Sequence, residues 1–189
     1  VNEYVEILWS CLTRISPQLS RKKRVFKKHI SCDVDHPIDP VGYSLYRTVL
    51  RIFARIIRDR KPKIAILDLA NYFFKKFGSH RFDEYRNNIF WIMDVNKQAG
   101  NKVAFYFIPI QTDSSKEDPN DIRSKRISEI LRYIVDSGHE VGMHPGYQTY
   151  NHALNFQDSS LAFKQALNDV GIDFNKIGGR QHYLMYDIS

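Results

Sequence analysis

Two carboxylates and an imidazole end the first predicted strand of this chain. The segment 25–37 reads VFKKHISCDVDHP, and its apolar stretch stops at Asp33, Asp35 and His36. Because side chains two residues apart on a strand share a face, Asp33 and Asp35 should stand together. In α/β enzymes the carboxyl ends of the strands carry the catalytic groups, so this segment is the first candidate for chemistry.

Two further predicted strands end in residues that complement these carboxylates. The segment 138–147 reads GHEVGMHPGY and carries His144, and the segment 178–184 reads GGRQHYL and carries Arg180. Carboxylates and imidazoles are ligands of divalent metals. These groups, contributed by three strand ends, predict a metal-assisted hydrolase.

The composition is that of a folded protein with one sizeable core. Of 189 residues, 43% are hydrophobic and 13% aromatic, which favours a single domain. No apolar run approaches the ~20 residues of a membrane helix. The first residues include two glutamates, whereas a secretory signal begins with basic residues. We therefore expect a cytoplasmic protein with no transmembrane segment. Cys11 and Cys32 provide neither a disulfide framework nor zinc-ligand spacing.

The formal net charge of +7 raises the question of an acidic partner. Basic residues recur every three or four positions along 43–59, which predicts a solvent-exposed basic face opposite a packed apolar stripe. The aromatic residues lie in apolar stripes rather than among basic residues, so we expect no nucleic-acid partner. An acidic glycan, a nucleotide-linked lipid or a membrane surface stays open as an alternative. The predicted packed stripe comprises Leu45, Val49, Leu50, Ile52, Phe53, Ile56 and Ile57.

Helix and strand patterns alternate from residue 83 onward, as in parallel βαβ units. The predicted helices are 83–98, 121–137 and 158–170, and the predicted strands are 102–108, 139–143 and 176–179. Two helical patterns, 43–59 and 64–77, interrupt this rhythm and form an α-helical insertion at 39–80. We expect residues 1–27 to be a lead-in from a preceding region and residues 28–189 to form the domain.

Four motifs, taken in order, resemble those of the polysaccharide deacetylase family, the NodB-like enzymes of carbohydrate esterase family 4. They read CDVD at 32–35, AFYFI at 104–108, GHEVGMHP at 138–145 and GRQHYL at 179–184. The chain looks most similar to the bacterial branch with H-P-x-Y and R-Q-H-Y-L motifs, and the resemblance covers roughly residues 28–36 and 83–184. It implies an α/β fold, a partial or distorted (β/α) barrel, and metal-dependent removal of N- or O-acetyl groups from an acetylated glycan.

The resemblance also implies a role for each matched residue. Asp33 is the general base, Asp35 and His144 bind the metal, and Arg180 orients the base. A divalent metal, zinc by preference, would polarise the acetyl carbonyl, and a carboxylate beside it would take the proton of the attacking water.

Gln148 departs from the family pattern, because it stands four residues after His144 where most members carry another His ligand. An amide oxygen binds a zinc-like metal less tightly than an imidazole does. We therefore expect another group to complete the site. The candidates are His182 first and His36 second.

The chain also ends at Ser189, soon after the third motif, and begins with Val1 rather than Met. The family continues to further strands that bring an aspartate-tryptophan motif and a histidine acting as general acid. We therefore expect the front part of a longer enzyme, with little deacetylase activity by itself. An unclosed barrel exposes a strand edge, so we also expect a homo-oligomer formed through that side.

Three other classes of protein remain as alternatives. A non-catalytic carbohydrate-binding or interaction module could keep the cleft of a deacetylase while lacking a ligand at Gln148. A glycosyltransferase could use Asp33 and Asp35 to hold a metal and a sugar nucleotide, but only 32 residues precede that motif. A basic nucleic-acid module has no motif to support it.

Overall fold

The computed structural model describes residues 2–22, 25–39, 44–173 and 177–187. Within these ranges the chain is a mixed α/β structure with a small open parallel sheet and no closed barrel. The strands are β1 Ile30–Val34, β2 Val103–Phe107 and β3 Glu140–Met143. The helices are α1 Asn2–Ile15, α2 Leu45–Phe53, α3 Pro62–Lys76, α4 Glu84–Gln98, α5 Lys125–Asp136 and α6 Ala153–Asp169. A π-helical turn, Ala54–Arg58, extends α2, and short 3₁₀ helices lie at Tyr147–Tyr150 and His182–Leu184.

The sheet has the order β1-β2-β3, and all neighbouring strands are parallel. Its register places Asp33 opposite Tyr106, and Tyr106 opposite Gly142. One face of the sheet is apolar and packs against α4, α5 and α6, which makes the hydrophobic core. The most deeply buried side chains of this core include Phe105, Phe107, Met93, Leu131, Ile134, Phe163 and Leu167.

The opposite face of the sheet is polar and lines an open cavity of about 480 Å³. The ring of Tyr106 lies across Gly142 on this face, where an added Cβ would come within 2.4 Å of the ring. Gly142 is therefore needed for this close approach. Arg180 lies above the same ring, with its guanidinium 5.5 Å from the ring centroid.

The segment that follows α6 runs along the open edge of β3. The strand predicted at 176–179 begins outside the described residues, and of its described part Gly179 forms a single parallel bridge with Met143. Met143 donates its N–H to the Gly178 carbonyl and Arg180 donates its N–H to the Met143 carbonyl, both at 3.0 Å. These bonds fix the positions of Arg180 and of the residues just after it.

Two predicted helix starts were wrong. Helix α5 begins at Lys125 rather than at residue 121, because the Asp121 carboxylate accepts the Arg123 N–H at 3.0 Å and holds a turn there. Helix α6 begins at Ala153, several residues before the predicted start at Asp158 or Ser159, and Ser159 is buried inside the helix. The helix predicted at 43–59 has its first residue outside the described part and is observed from Leu45, after the Ser44 cap.

The predicted orientation of α2 was also wrong. Leu50, Phe53 and Ile57 point to solvent, with Ile57 72% exposed, whereas Arg51 and Arg55 point inward. The helix is amphipathic as predicted, but Thr48, Arg51 and Arg55 of its polar side lie inside the fold, while Arg47 and Arg58 are exposed.

Buried carboxylates explain this inverted orientation. Asp39, in the loop after β1, and Asp68, on α3, are almost fully buried. Arg51 donates to both Asp39 oxygens at 2.8 and 2.7 Å and lies 3.2 Å from Asp68, which Arg55 also contacts at 3.4 Å. An unpaired buried carboxylate would cost several kcal/mol, so these arginines are held inside. Lys75 joins the same network through the Asp39 carbonyl at 2.7 Å.

His139, which precedes β3, is buried and supports the start of β2. Its Nδ1 accepts the Val103 N–H at 3.1 Å. Burial and the nearby Lys97 lower the pKa of His139.

We expect the folded protein to lose stability as the pH falls below about 6.5, where His139 takes up a proton more readily in the unfolded chain than in the fold. Protonation would also turn the Nδ1 acceptor into a donor facing the Val103 N–H. The melting temperature followed between pH 7 and 5.5 should fall more steeply for the parent protein than for His139→Asn, whose side-chain oxygen accepts but does not titrate. Parallel curves for the two proteins would contradict this assignment.

Candidate metal site

Three side chains converge at the carboxyl end of the sheet. Asp35 follows β1, His144 follows β3, and His182 begins the short helix after the Gly179 bridge. The Asp35 Oδ1 atom lies 3.5 Å from His144 Nε2 and 3.8 Å from His182 Nε2. One potential ligand atom from each residue lies within 4.8 Å of the other two. Of the two candidates to complete the site, His182 is therefore the one that the fold brings to Asp35 and His144.

Backbone contacts hold both histidines in place. His144 donates its N–H to the Phe107 carbonyl at 2.8 Å, which extends the β2-β3 pairing by one residue. His182 donates its N–H to the Pro145 carbonyl at 3.3 Å. Tyr183 and Leu184, which follow directly, both have φ of 54°, an unfavourable left-handed conformation for residues with side chains. Such strain is concentrated at functional sites in proteins.

The hydrogen bonds of the two rings define which nitrogens carry protons. His144 Nδ1 lies 2.5 Å from the Arg180 carbonyl oxygen, and His182 Nδ1 lies 3.0 Å from Glu117 Oε1. A carbonyl and a carboxylate accept hydrogen bonds, so each Nδ1 carries the proton. In the neutral rings both Nε2 atoms then present lone pairs toward Asp35.

This arrangement fits a divalent cation. Asp35 Oδ1 is buried and has no hydrogen-bond partner, and it faces the two Nε2 atoms. Three electron-pair donors that face one another repel unless a cation or protons lie between them. Tetrahedral ligands at ~2.1 Å from zinc lie about 3.4 Å apart, close to the separations of Asp35 from His144 and His182. The remaining side of the site is open, since the Asp35 side chain is 46% exposed.

Glu117 is a functional candidate that the sequence did not reveal. Its buried carboxylate accepts the N–H groups of Thr112, Asp113 and Tyr147 and contacts His182 Nδ1. Burial raises the pKa of Glu117, but these N–H donors and His182 outweigh that effect and leave the pKa below its usual value. Glu117 is thus an anion that fixes the orientation of the His182 ring, as carboxylates commonly do for metal-binding histidines.

Replacing Glu117 with glutamine should weaken Zn²⁺ binding about 10- to 100-fold, because His182 loses a charged acceptor and only one end of the new side chain can still accept hydrogen bonds. Competition with a chromogenic chelator would measure this change. Glu129→Gln, at an exposed position of α5, is the matched control and should bind zinc like the parent protein. Equal affinities for Glu117→Gln and the control would show that Glu117 supports only the loop.

Asp33 and Arg180 form a pair on the polar face of the sheet. Arg180 Nη1 lies 3.2 and 3.3 Å from the two Asp33 oxygens, and its Nη2 donates to the Ser31 hydroxyl at 2.5 Å. Asp33 precedes Asp35 by two residues, so along the strand the two carboxylates start about 6.6 Å apart. This is the pairing of carboxylate and guanidinium that the resemblance implies.

Other sequence candidates lie outside the cluster. His36 Nδ1 is 2.6 Å from the Asp118 carboxylate, so the structure does not bring this second candidate ligand to the site. Gln148 lies on the 3₁₀ helix after β3, and its backbone N–H donates to the Thr112 hydroxyl at 3.0 Å. Cys32 faces the core side of β1, where burial, with Asp33 and Asp35, raises the pKa of its thiol.

Comparisons with known proteins provide no relative for this chain. No family model, no curated protein and no solved structure matches it. The likeness to the deacetylase family is therefore a resemblance of ordered sequence motifs only.

Proposed function

We propose that this chain carries the metal site and the general base of a metal-dependent hydrolase that removes acetyl groups from a glycan. The observation that carries the proposal is the convergence of Asp35, His144 and His182 at the strand ends, with the Asp33–Arg180 pair beside them. Metal-dependent hydrolysis of an amide or ester needs a metal site and, beside it, a carboxylate in a fixed position to act as general base. The order of the motifs supports the choice of acetylated glycan as the substrate class.

Each residue has a distinct task in this proposal. Asp35, His144 and His182 hold the divalent metal, most suitably zinc, which when bound supplies a Lewis acid for the acetyl carbonyl. Asp33 accepts the proton of the attacking water at a carboxylate oxygen. Arg180 keeps that carboxylate in one orientation through contacts with both of its oxygens.

The proposed fold is a partial (β/α) barrel of the deacetylase type. Two features support it: the parallel strands follow one another in chain order, and α4, α5 and α6 pack on one face of the sheet. The polar face, with Ser31, Asp33 and Tyr106, would then line the barrel interior.

Aromatic side chains beside the metal site support a sugar as substrate. The Tyr147 ring lies 6.5 Å from the His182 ring and 5.6 Å from the Tyr183 ring, centroid to centroid. Tyr183 is 64% exposed, so its ring is accessible to a ligand. Apolar ring faces around a few polar groups are typical of small-molecule sites.

The direct test is acetate release by the full-length protein from a panel of N- and O-acetylated oligosaccharides, with zinc added and with the metal removed by a chelator. We expect release that is lost with the chelator and restored by zinc. Tight zinc binding with no acetate release from any member of the panel would instead favour a non-catalytic carbohydrate-binding module. Release that is unaffected by the chelator would contradict the proposal.

A further inference from the structure

The outer side of α2 and its π-helical turn carries a stripe of exposed apolar side chains with basic residues beside it. We define the α2 stripe as Tyr46, Val49, Leu50, Phe53, Ile56 and Ile57, all exposed. Four of these residues, Tyr46, Leu50, Phe53 and Ile57, recur at helical spacing along one line of the helix. Tyr46 and Ile57 are each 72% exposed, so the stripe has little cover within the described residues.

The orientation of this helix is fixed by ion pairs rather than by apolar packing. Rotating α2 to bury the stripe would withdraw Arg51 and Arg55 from the carboxylates of Asp39 and Asp68. Those carboxylates are buried, and leaving them unpaired costs several kcal/mol. The stripe is therefore held outward by the fold.

The part of the chain that carries the stripe is rich in basic residues. Between residues 44 and 63 the chain carries seven Lys or Arg residues and one acidic residue, Asp59. Arg51 and Arg55 are paired inside the fold, and Arg58 contacts Asp59 at 2.8 Å. The exposed cations of this stretch are Arg47, Arg60, Lys61 and Lys63, together with Arg58, whose side chain is exposed although it contacts Asp59.

We propose that the α2 stripe docks this protein on an anionic lipid surface. A helix that presents exposed apolar side chains with basic residues at their margin lies in the interface of a bilayer, where the apolar groups insert and the cations meet acidic headgroups. None of the helices in the described ranges has the length and apolar character to cross a bilayer.

The positive charge beside the α2 stripe favours an anionic lipid surface over a second copy of the chain. Pairing two α2 stripes would bring the flanking cations of both copies together, and like charges at a contact are unfavourable. An acidic lipid surface reverses the sign of that interaction, with about 1 kcal/mol of attraction for each basic residue near the surface.

The test is co-sedimentation with vesicles, in which the free and bound fractions of the protein are measured. Equimolar phosphatidylglycerol and phosphatidylcholine provide the anionic surface, and phosphatidylcholine alone provides the neutral one. We expect binding to the anionic vesicles that weakens as salt is added. The triple variant Leu50→Gln, Phe53→Gln, Ile57→Gln should bind at least about tenfold more weakly. Arg47→Gln with Lys61→Gln and Lys63→Gln should lose at least about tenfold as well.

The matched control is Leu154→Gln with Leu161→Gln on α6, which also removes exposed leucines but should leave vesicle binding unchanged. Melting temperatures of all variants verify that the fold is retained. The proposal is overturned if the parent protein ignores anionic vesicles, or if the stripe variant binds them equally well. It is also overturned if sedimentation velocity shows a dimer that the stripe variant loses, since the occupant is then a second copy. Acetate release plays no part in this test, so it is independent of the proposed activity.

Discussion

Replacing His144 with alanine is expected to lower the Zn²⁺ affinity of this protein by more than about 100-fold, beyond the loss typical of an outer-shell partner. The change removes one of three converging donor atoms and leaves Asp35 and His182 as a two-ligand site. Two ligands cannot complete the tetrahedral coordination that zinc takes in proteins without recruiting several waters. Chelator competition or calorimetry on the purified chain would measure the loss.

The matched control for this change is His29→Ala. His29 is exposed and directly precedes β1, at the opposite end of the strand from Asp35. Its removal should leave the zinc affinity intact. Equal affinity in His144→Ala and His29→Ala would show that the converging cluster is not where the metal binds.

The position of the candidate metal site could be predicted from sequence because two of its three residues come directly after predicted strands. Asp35 and His144 each follow an apolar run that ends at a proline or a polar loop, and the ends of parallel strands meet at one edge of a sheet. Gln148 stands where the family pattern has a second histidine, so another residue is needed to complete the site. His182 is the first candidate, and the structure brings it to Asp35 and His144. Helix α4 and strand β2 were predicted with small errors because Asp83 and Gly100 mark the boundaries.

Glu117 could not be found in the same way. It lies in the polar loop after β2, and its partner His182 is 65 residues away in the chain. No spacing rule connects two such residues, because the contact depends on how the loop packs against the residues that follow β3. The one available signal was general: a carboxylate in the loop after a parallel strand is near the functional edge of the sheet.

The orientation of α2 shows a different limit of sequence reasoning. Hydrophobic periodicity identifies which residues share a helix face, but it does not say which face is inside. Here the buried Asp39 and Asp68 determine which face of α2 is inside, because their carboxylates need the arginines of α2 as partners. Those carboxylates come from a loop and from another helix. The inversion therefore became visible only in the assembled fold.

Replacing Asp33 with asparagine is expected to reduce acetate release about 10²- to 10⁴-fold, the usual cost of losing a positioned general base, while zinc affinity stays near that of the parent protein. Asp33 contacts Arg180 and lies outside the converging cluster, so in the proposed mechanism its charge serves proton transfer and not metal binding. Asparagine keeps the shape of the side chain but cannot take the proton. Initial rates with the zinc-loaded full-length protein, together with chelator competition, would measure both quantities.

Asp35→Asn is the matched comparison, because it makes the same chemical change two residues further along the chain. Its buried Oδ1 faces both histidines, so this variant should lose zinc affinity first and activity as a consequence. Saturating zinc should therefore recover part of the activity of Asp35→Asn and none of the activity of Asp33→Asn. If both variants lost zinc equally, the two carboxylates would act as one metal-binding pair, and the base would have to be sought elsewhere on the polar face of the sheet.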